Sequence, residues 1–268
     1  MRILLTADLH SRRNWFDWLL RQQADLTVVA GDLLDGFRAD GLLVQMLELR
    51  RWCARFPGQL AVCSGNHDAN TPMRAQRPEA LESIPEDVRK EVLSLLMAGH
   101  WMDCLESDRI VTDRRTKVVT TPGGALIVTA VPYDFDGGED HDDLWKEAAR
   151  LRKHQKIPWL VLHHEPPAEV KVGGRMGNRQ LFYKIQEYRP DFVISGHLHR
   201  QPYVGSFADH LDGTWCFNPG HPEQSLAMQS SVPNHILLDV AARTATWHAS
   251  PNVGNLPITE TISLTECL

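Results

Sequence analysis

Arg2-Ile3-Leu4-Leu5-Thr6-Ala7 runs straight into Asp8-Leu9-His10, and Asp25-Leu26-Thr27-Val28-Val29-Ala30 runs into Gly31-Asp32. A third apolar run, Gln59 to Ser64, ends at Gly65-Asn66-His67-Asp68. Between these runs the pattern changes period. Asn14 to Gln23 carries Trp15, Phe16, Trp18, Leu19 and Leu20 on its apolar side, and Gly41 to Phe56 carries Leu42, Leu43, Met46, Leu47 and Leu49. Continuous apolar strands separated by helices predict parallel pairing, with both faces of the sheet covered. Each strand stops at a polar cluster, and open α/β sheets place their ligands at those strand ends.

The later chain repeats the theme. Lys117 to Thr121 and Ala125 to Val131 flank Pro122-Gly123-Gly124, a hairpin signal. His141 to Gln155 and Leu181 to Tyr188 read as helices, and Trp159 to Leu162 and Phe192 to Ser195 as short buried strands. These two strands lead into His163-His164 and Gly196-His197-Leu198-His199. Trp215 to Phe217, His235 to Val240 and Thr244 to His248 make a β-rich finish, with Ala241-Ala242-Arg243 as a turn. The expected architecture is two mixed sheets packed face to face with helices outside. Residues 1 to 70 are expected to feed one sheet, and the hairpin and C-terminal strands the other. The stretch 70–117 is punctuated by Pro72, Pro78 and Pro85, with a helix expected over Val88 to Ala98. It reads as connecting structure, with a lid or insert as the alternative, inside a single domain spanning 1–268.

The 268 residues, 43% of them hydrophobic, suit one large domain with a sizeable core. A net charge of -6 and no Lys/Arg block argue against a general polyanion binder. Cys53, Cys63, Cys104, Cys216 and Cys267 are odd in number and widely spaced, so a reducing cytoplasm is expected rather than a disulfide framework. The chain opens on a strand-like run rather than a leader. No apolar stretch approaches the roughly 20 residues of a membrane span, so a soluble intracellular protein is expected, with no membrane partner.

The polar clusters hold the donors of a two-metal site. Asp8 and His10, two apart in extended chain, project from one face and can reach one ion. Asp32 follows Gly31, which permits a sharp exit, and its two oxygens can bridge cations roughly 3.5–4 Å apart. Asn66 adds an amide oxygen; His164 or His163, with His197 and His199, adds imidazoles. Mixed nitrogen and oxygen donors without thiolate fit a catalytic metal and disfavour Ca²⁺ and Mg²⁺. Two divalent ions are expected, Mn²⁺ first and Fe, Zn²⁺ or Ni²⁺ after it. Singly, each cluster is weak: Asp32 could cap a turn, and Gly-Asn-His-Asp could be an incidental loop. Their coincidence at five strand ends carries the reading.

With these motifs in view, the chain resembles the calcineurin-like metallophosphoesterases. The matching stretches are Asp8-Leu9-His10, Gly31-Asp32-Leu33-Leu34-Asp35, Gly65-Asn66-His67-Asp68, His164-Glu165-Pro166 and Gly196-His197-Leu198-His199. The resemblance implies an α/β fold of four layers, an αββα sandwich. It implies that Asp8, His10, Asp32 and His199 hold one metal, and that Asp32, Asn66, His164 and His197 hold the other. The family pattern His-x-Pro selects His164 over His163. Water made acidic by the two ions would then attack phosphorus. His67 is expected to stabilise the transition state or protonate the leaving group, with Asp68 fixing its tautomer through a carboxylate–imidazole bond. Arg12, Arg13, Arg175 and Arg179 read first as solvated surface arginines, with gripping the substrate as the alternative. Asn218-Pro219-Gly220 reads as a structural turn.

The implied activity is hydrolysis of phosphate esters. Gly36-Phe37 after Asp35, and Asp68 after His67, depart from the protein phosphatase form of the motifs. The Asp68 form is shared with the family's repair exonucleases, which usually continue into a capping domain, whereas this acidic chain ends soon after its last strands. A small phosphodiester or nucleotide is therefore expected as substrate, with nucleic acid less favoured. The alternatives are an exonuclease-like phosphodiesterase and a non-catalytic scaffold on the same fold.

Overall fold

The computed structural model describes residues 1–36, 41–69, 86, 89, 91, 101–133, 141–222, 230–250 and 257–264. Strands β1 (Arg2–Thr6), β2 (Leu26–Ala30), β3 (Gln59–Cys63) and β4 (Ile110–Val111) pair in parallel, as their unbroken apolar character predicts. Strands β5 (Arg115–Thr121) and β6 (Gly124–Ala130) form the expected hairpin, closing at Thr121 opposite Gly124. β6 then leads a parallel set with β7 (Trp159–Leu162), β8 (Phe192–Ile194) and β10 (Thr214–Phe217), edged by β9 (Ala208–Leu211).

One expectation about the sheets is overturned. β11 (His235–Asp239), β12 (Thr244–Ala249) and β13 (Ile258–Ser263) join the first sheet, whose order is β13-β12-β11-β1-β2-β3-β4. Of the C-terminal strands, only β9 and β10 belong to the second sheet, ordered β5-β6-β7-β8-β10-β9. β11 lies antiparallel to β1, with Leu237 opposite Leu4, and so covers an edge of β1 that β2 leaves open. Alternation marks a strand and its buried face; it does not say which edge the strand will pair with.

Alternate side chains sort the layers. Ile3, Leu5, Val28, Val128, Leu160, Ile194 and Ile236 meet in the core between the sheets. Leu4, Val29, Leu60 and Val62 point the other way, against Trp15 and Leu19 of α1 (Arg13–Leu19) and Leu43, Met46 and Leu47 of α2 (Leu42–Arg55). On the far side Ile127, Val161 and Val193 pack on α4 (Asp142–Gln155) through Trp145 and Ala148, and on α5 (Arg179–Tyr188) through Leu181 and Ile185. The result is two mixed sheets flanked by helices, the expected αββα order. α1 ends at Leu19 rather than Gln23, because Arg21 and Gln22 already turn with N–H bonds to Trp18 and Leu19. The helix expected over Val88 to Ala98, and with it the lid reading of 70–117, lies mostly outside the described residues. Among those residues no helix is long and apolar enough to cross a membrane, and Cys53, Cys63, Cys104 and Cys216 are free thiols.

Candidate metal centre

Five strands deliver the predicted ligands to one place. Asp8 follows β1, Asp32 follows β2, and Asn66 opens the short helix α3 (Asn66–Ala69) after β3. His164 follows β7, and His197 and His199 follow β8. The connecting loops are zipped together: Asp8 N–H donates to the Gly31 carbonyl at 3.0 Å, His10 N–H to Asp32 at 2.9 Å, and Gly196 N–H to His164 at 2.8 Å. Asp8, His10, Asp32 and His197 all sit in the left-handed region, with φ of 57°, 45°, 50° and 63°. That conformation costs roughly 1–2 kcal/mol for each such residue. The loop ladder holds it, and it turns the side chains inward. Two glycines make room for them. A Cβ on Gly31 would lie 2.4 Å from His164 Nδ1, and one on Gly65 would lie 2.2 Å from Asp32 Oδ1.

Asp8, Asp32 and His164 are buried, with His164 Nε2 at 3.4 Å from Asp32 Oδ2 and 4.0 Å from Asp8 Oδ1. His10 Nε2 stands 4.0 Å from Asp32 Oδ2, and His199 Nε2 stands 3.1 Å from Asp8 Oδ1. Asn66 Oδ1 lies 3.1 Å from His164 Nε2 and 2.9 Å from His197 Nδ1. The donor atoms of Asp8, His10 and His199 lie within 4.8 Å of one another, as do those of Asp8, Asp32 and His164. His164 Nδ1 donates to the Ala30 carbonyl at 2.8 Å, which leaves Nε2 to face the carboxylates. His163 turns away, its Nδ1 bonded to the Glu165 carbonyl at 2.8 Å.

The electrostatics call for positive charge. Burial works against the Asp8 carboxylate, yet His199, His164 and His10 together hold it well below its ordinary range. Burial opposes a charged His164 too, but Asp32 and Asp8 push its pKa up to about 10. Two buried carboxylates thus draw a proton onto the nearest imidazole. A divalent cation among these oxygens and nitrogens would supply the same charge, so the donor set fits a metal pair.

His67 differs from the other histidines. Its Nε2 is 3.8 Å from Asp32 Oδ2, but its Nδ1 accepts the Gly36 N–H at 3.0 Å. A neutral ring whose Nδ1 accepts carries its proton on Nε2, as a donor facing the site. Burial first of all lowers its pKa and favours that neutral form.

The expected Asp68–His67 pairing is not what the structure holds. The buried Asp68 carboxylate accepts N–H bonds from Gly65 (2.8 Å), Leu34 (2.9 Å) and Leu33 (3.0 Å). It clamps the Asp32 loop to the Asn66 loop, and the Gly36 N–H orients His67 instead. Burial, then the charge on Asp32, raises the Asp68 pKa, and the three N–H donors oppose this. Asp68→Asn removes the charge and turns an NH₂ toward N–H donors. It should cost about 2–4 kcal/mol, measured as a lower urea midpoint with an unchanged m-value.

The four arginines fall in different settings. Arg13 lies on the solvent side of α1 and pairs with Glu48 of α2, because Trp15 and Leu19 take the buried side. Arg175 and Arg179 are exposed and make no ion pair among the described residues. Arg12 alone is half-buried, its guanidinium 5.0 Å from the centre of the Trp15 ring.

Two residues near the centre, Tyr133 and His221, go unread in the sequence, and Asn218 reads there only as part of a turn. Tyr133, beyond β6, sets its ring 6.0 Å from that of His164, and burial pushes its phenol up to about 12. Asn218 is more than a turn residue. Its Nδ2 donates to the Gly196 and Leu198 carbonyls at 3.2 and 3.3 Å, pinning the loop that carries His197 and His199. His221 packs against His199, His10 and Trp15. It follows a strand-terminal turn after β10, as the predicted ligands follow their strands.

The sequence of residues 1–201 matches the model of the calcineurin-like phosphoesterase family. The chain belongs to that family. Its members use dinuclear metal centres and generally hydrolyse phosphoric esters, and the Asp/His groups at the strand ends can hold such ions. Part of the chain, 37% of it, is 33% identical to one of the subunits of the nuclease SbcCD from Rhodobacter capsulatus, a match spanning 28% of that protein. The fold is similar to that of the Thermus thermophilus protein TT1561, at TM-score 0.55 and 15% identity over 98% of both chains. It is also similar to purple acid phosphatase PPD1 of yellow lupin, at TM-score 0.55 and 12% identity, over 98% of this chain and 53% of that one.

Proposed function

We propose that this calcineurin-like phosphoesterase hydrolyses a phosphodiester, of a small molecule or nucleotide, at a pair of divalent cations with Mn²⁺ preferred. The observation that carries the proposal is the convergence of Asp8, His10, Asp32, Asn66, His164, His197 and His199 from five strand ends onto a pocket that draws positive charge. In this reading Asp8, His10 and His199 hold one ion, Asn66, His164 and His197 the other, and Asp32 lies between. When bound, the ions lower the pKa of a water and neutralise phosphate charge. The chain's own part is placement. His164 is fixed by the Ala30 carbonyl, and the His197–His199 loop by Asn218. His67 presents an Nε2–H toward the reacting phosphate, and Arg12, half-buried against Trp15, is the arginine assigned to assist.

A second reading, cleavage of a nucleic-acid diester, draws support from the similarity to the SbcCD nuclease. The net charge of -6 weighs against a broad polyanion surface. The test is one screen. The full chain is stripped with chelator, resupplied with Mn²⁺, and offered a phosphomonoester, a small phosphodiester, nucleotides and a single-stranded oligonucleotide. Hydrolysis that is lost on stripping, regained with Mn²⁺ and fastest on the small diester is expected. Preference for the monoester would overturn the diester reading, and preference for the oligonucleotide would favour the second one. A chain that holds no metal and cleaves nothing would be a scaffold.

A further inference from the structure

His221 is only 7% exposed, and its Nε2 is shut off from solvent without a hydrogen-bond partner. A buried imidazole nitrogen left unpaired costs on the order of 1–3 kcal/mol, so a phenylalanine would brace these rings at less cost. Nε2 is the ring nitrogen far from the backbone, so the tip of the ring is the part shut off from solvent. The donor atoms already within 4.8 Å of one another are those of Asp8, His10 and His199, so the His221 ring would turn to bring Nε2 to the same ion. The backbone beneath the ring is fixed. Gly220 turns at a φ of 65°, Asn218 accepts the Gly220 N–H at 2.8 Å, and His221 N–H donates to the His199 carbonyl at 3.1 Å.

The inserted ring meets the two imidazoles of one half of the metal centre. Ring centres are 4.7 Å apart for His199 and His221, 5.4 Å for His10 and His221, and 5.5 Å for His10 and His199. Imidazoles bound to one ion at about 2.0–2.1 Å have centres roughly 4.5–5.5 Å apart. Spacing alone does not decide, because His10 and His67 are also 4.6 Å apart. The partner of the nitrogen decides. His67 Nε2 faces Asp32 Oδ2 at 3.8 Å while its Nδ1 takes the Gly36 N–H, whereas His221 Nε2 is shut off from solvent and among the described residues no protein group serves it. Among the same residues neither His10 nor His199 has a carbonyl anchor of the kind that fixes His164, so both rings are free to adjust around a shared ion.

We propose that His221 is a further ligand of the cation held by Asp8, His10 and His199, making that half a three-imidazole site. The proposal rests on the dinuclear reading above. Three imidazoles make the two halves unequal, with the His221 half favouring Zn²⁺, Fe or Ni²⁺ more strongly than its neighbour does.

The test compares the full wild-type chain with His221→Phe and His221→Ala. Bound Mn²⁺ and Zn²⁺ are measured after dialysis, together with the visible spectrum of the Co²⁺-loaded protein and the melting temperature of the stripped protein. Loss of a contact that merely supports a ligand typically weakens metal binding about 10–100-fold. Here both variants are expected to lose about 100-fold or more at one ion, keep the other, and show an altered Co²⁺ spectrum. Stripped His221→Phe should melt no lower than wild type. A His221→Phe protein that holds both ions within about 10-fold of wild type and keeps its Co²⁺ spectrum would overturn the proposal and leave His221 as a packing residue. If wild type binds both ions and only the variants fail to differ, the dinuclear reading stands. If wild type itself binds no ion, both readings fall.

Discussion

Asp32→Asn is expected to abolish stoichiometric metal and turnover together while leaving the fold intact. The change is nearly isosteric, so what it removes is charge. Asp32 Oδ2 faces His164 at 3.4 Å and His10 at 4.0 Å, one from each proposed half of the centre, while Oδ1 accepts the His67 N–H at 2.9 Å. Asp8 Oδ1 also faces both halves, at 3.1 Å from His199 and 4.0 Å from His164, but Asp32 stands closer to His164. Loss of one stabilising donor costs about 10²–10³-fold in turnover, and loss of a group shared by both ions should exceed that. Stability should fall as well. Burial and the Asp8 charge oppose the Asp32 carboxylate, yet His164 and His10 together hold it below its ordinary range, so neutralising it removes a net attraction. Stripped Asp32→Asn should therefore melt lower than stripped wild type. Wild type should gain stability as Mn²⁺ is added, by RT ln(1 + [Mn²⁺]/Kd), and the variant should gain little. A variant that still holds two ions per chain, with wild-type thermal response to Mn²⁺, would show that Asp32 does not lie between them.

Much of this centre is legible in the chain because strand ends are legible. β7 is found with its bounds, Trp159–Leu162, and β1, β2, β3 and β8 to within a residue, since short apolar runs bounded by polar motifs leave little choice. What fails is long-range or polar. β13 reads Ile-Thr-Glu-Thr-Ile-Ser on an edge, with mostly exposed positions, and so carries no apolar signature. The pairing of β11 with β1 joins residues more than two hundred positions apart, and no local pattern encodes it. Asp68 illustrates a subtler failure. It is adjacent to His67 in sequence, but both lie in the α3 turn, where neighbouring side chains diverge by about 100°. Adjacency therefore separates them and sends Asp68 under the loops. His221 was passed over because a lone histidine after Asn-Pro-Gly has no spacing to give it away.

The divergence of Asp68 also changes what His67 can do, and His67→Ala tests it. Were Asp68 bonded to Nδ1, the ring would carry a proton there and could become an imidazolium able to give one up at Nε2. The Gly36 N–H occupies Nδ1 instead, at 3.0 Å. A protonated ring would have to break that bond, and burial, the largest influence on this group, already depresses its pKa. The geometry therefore favours His67 as a neutral donor that would steady charge developing on the phosphate, over a role in delivering the leaving group's proton. The two roles predict different kinetics. A stabilising donor should cost about 10²–10³-fold in kcat when removed, and equally for a nitrophenyl ester and for an alkyl ester of the same phosphate. A general acid should cost about 10²-fold or more on the alkyl ester and almost nothing on the nitrophenyl ester, whose leaving group needs no proton. Metal content should be unchanged in either case. Equal losses on both esters, with metal retained, are the expected result. A loss confined to the alkyl ester would return His67 to proton transfer, and no loss on either would remove it from the chemistry.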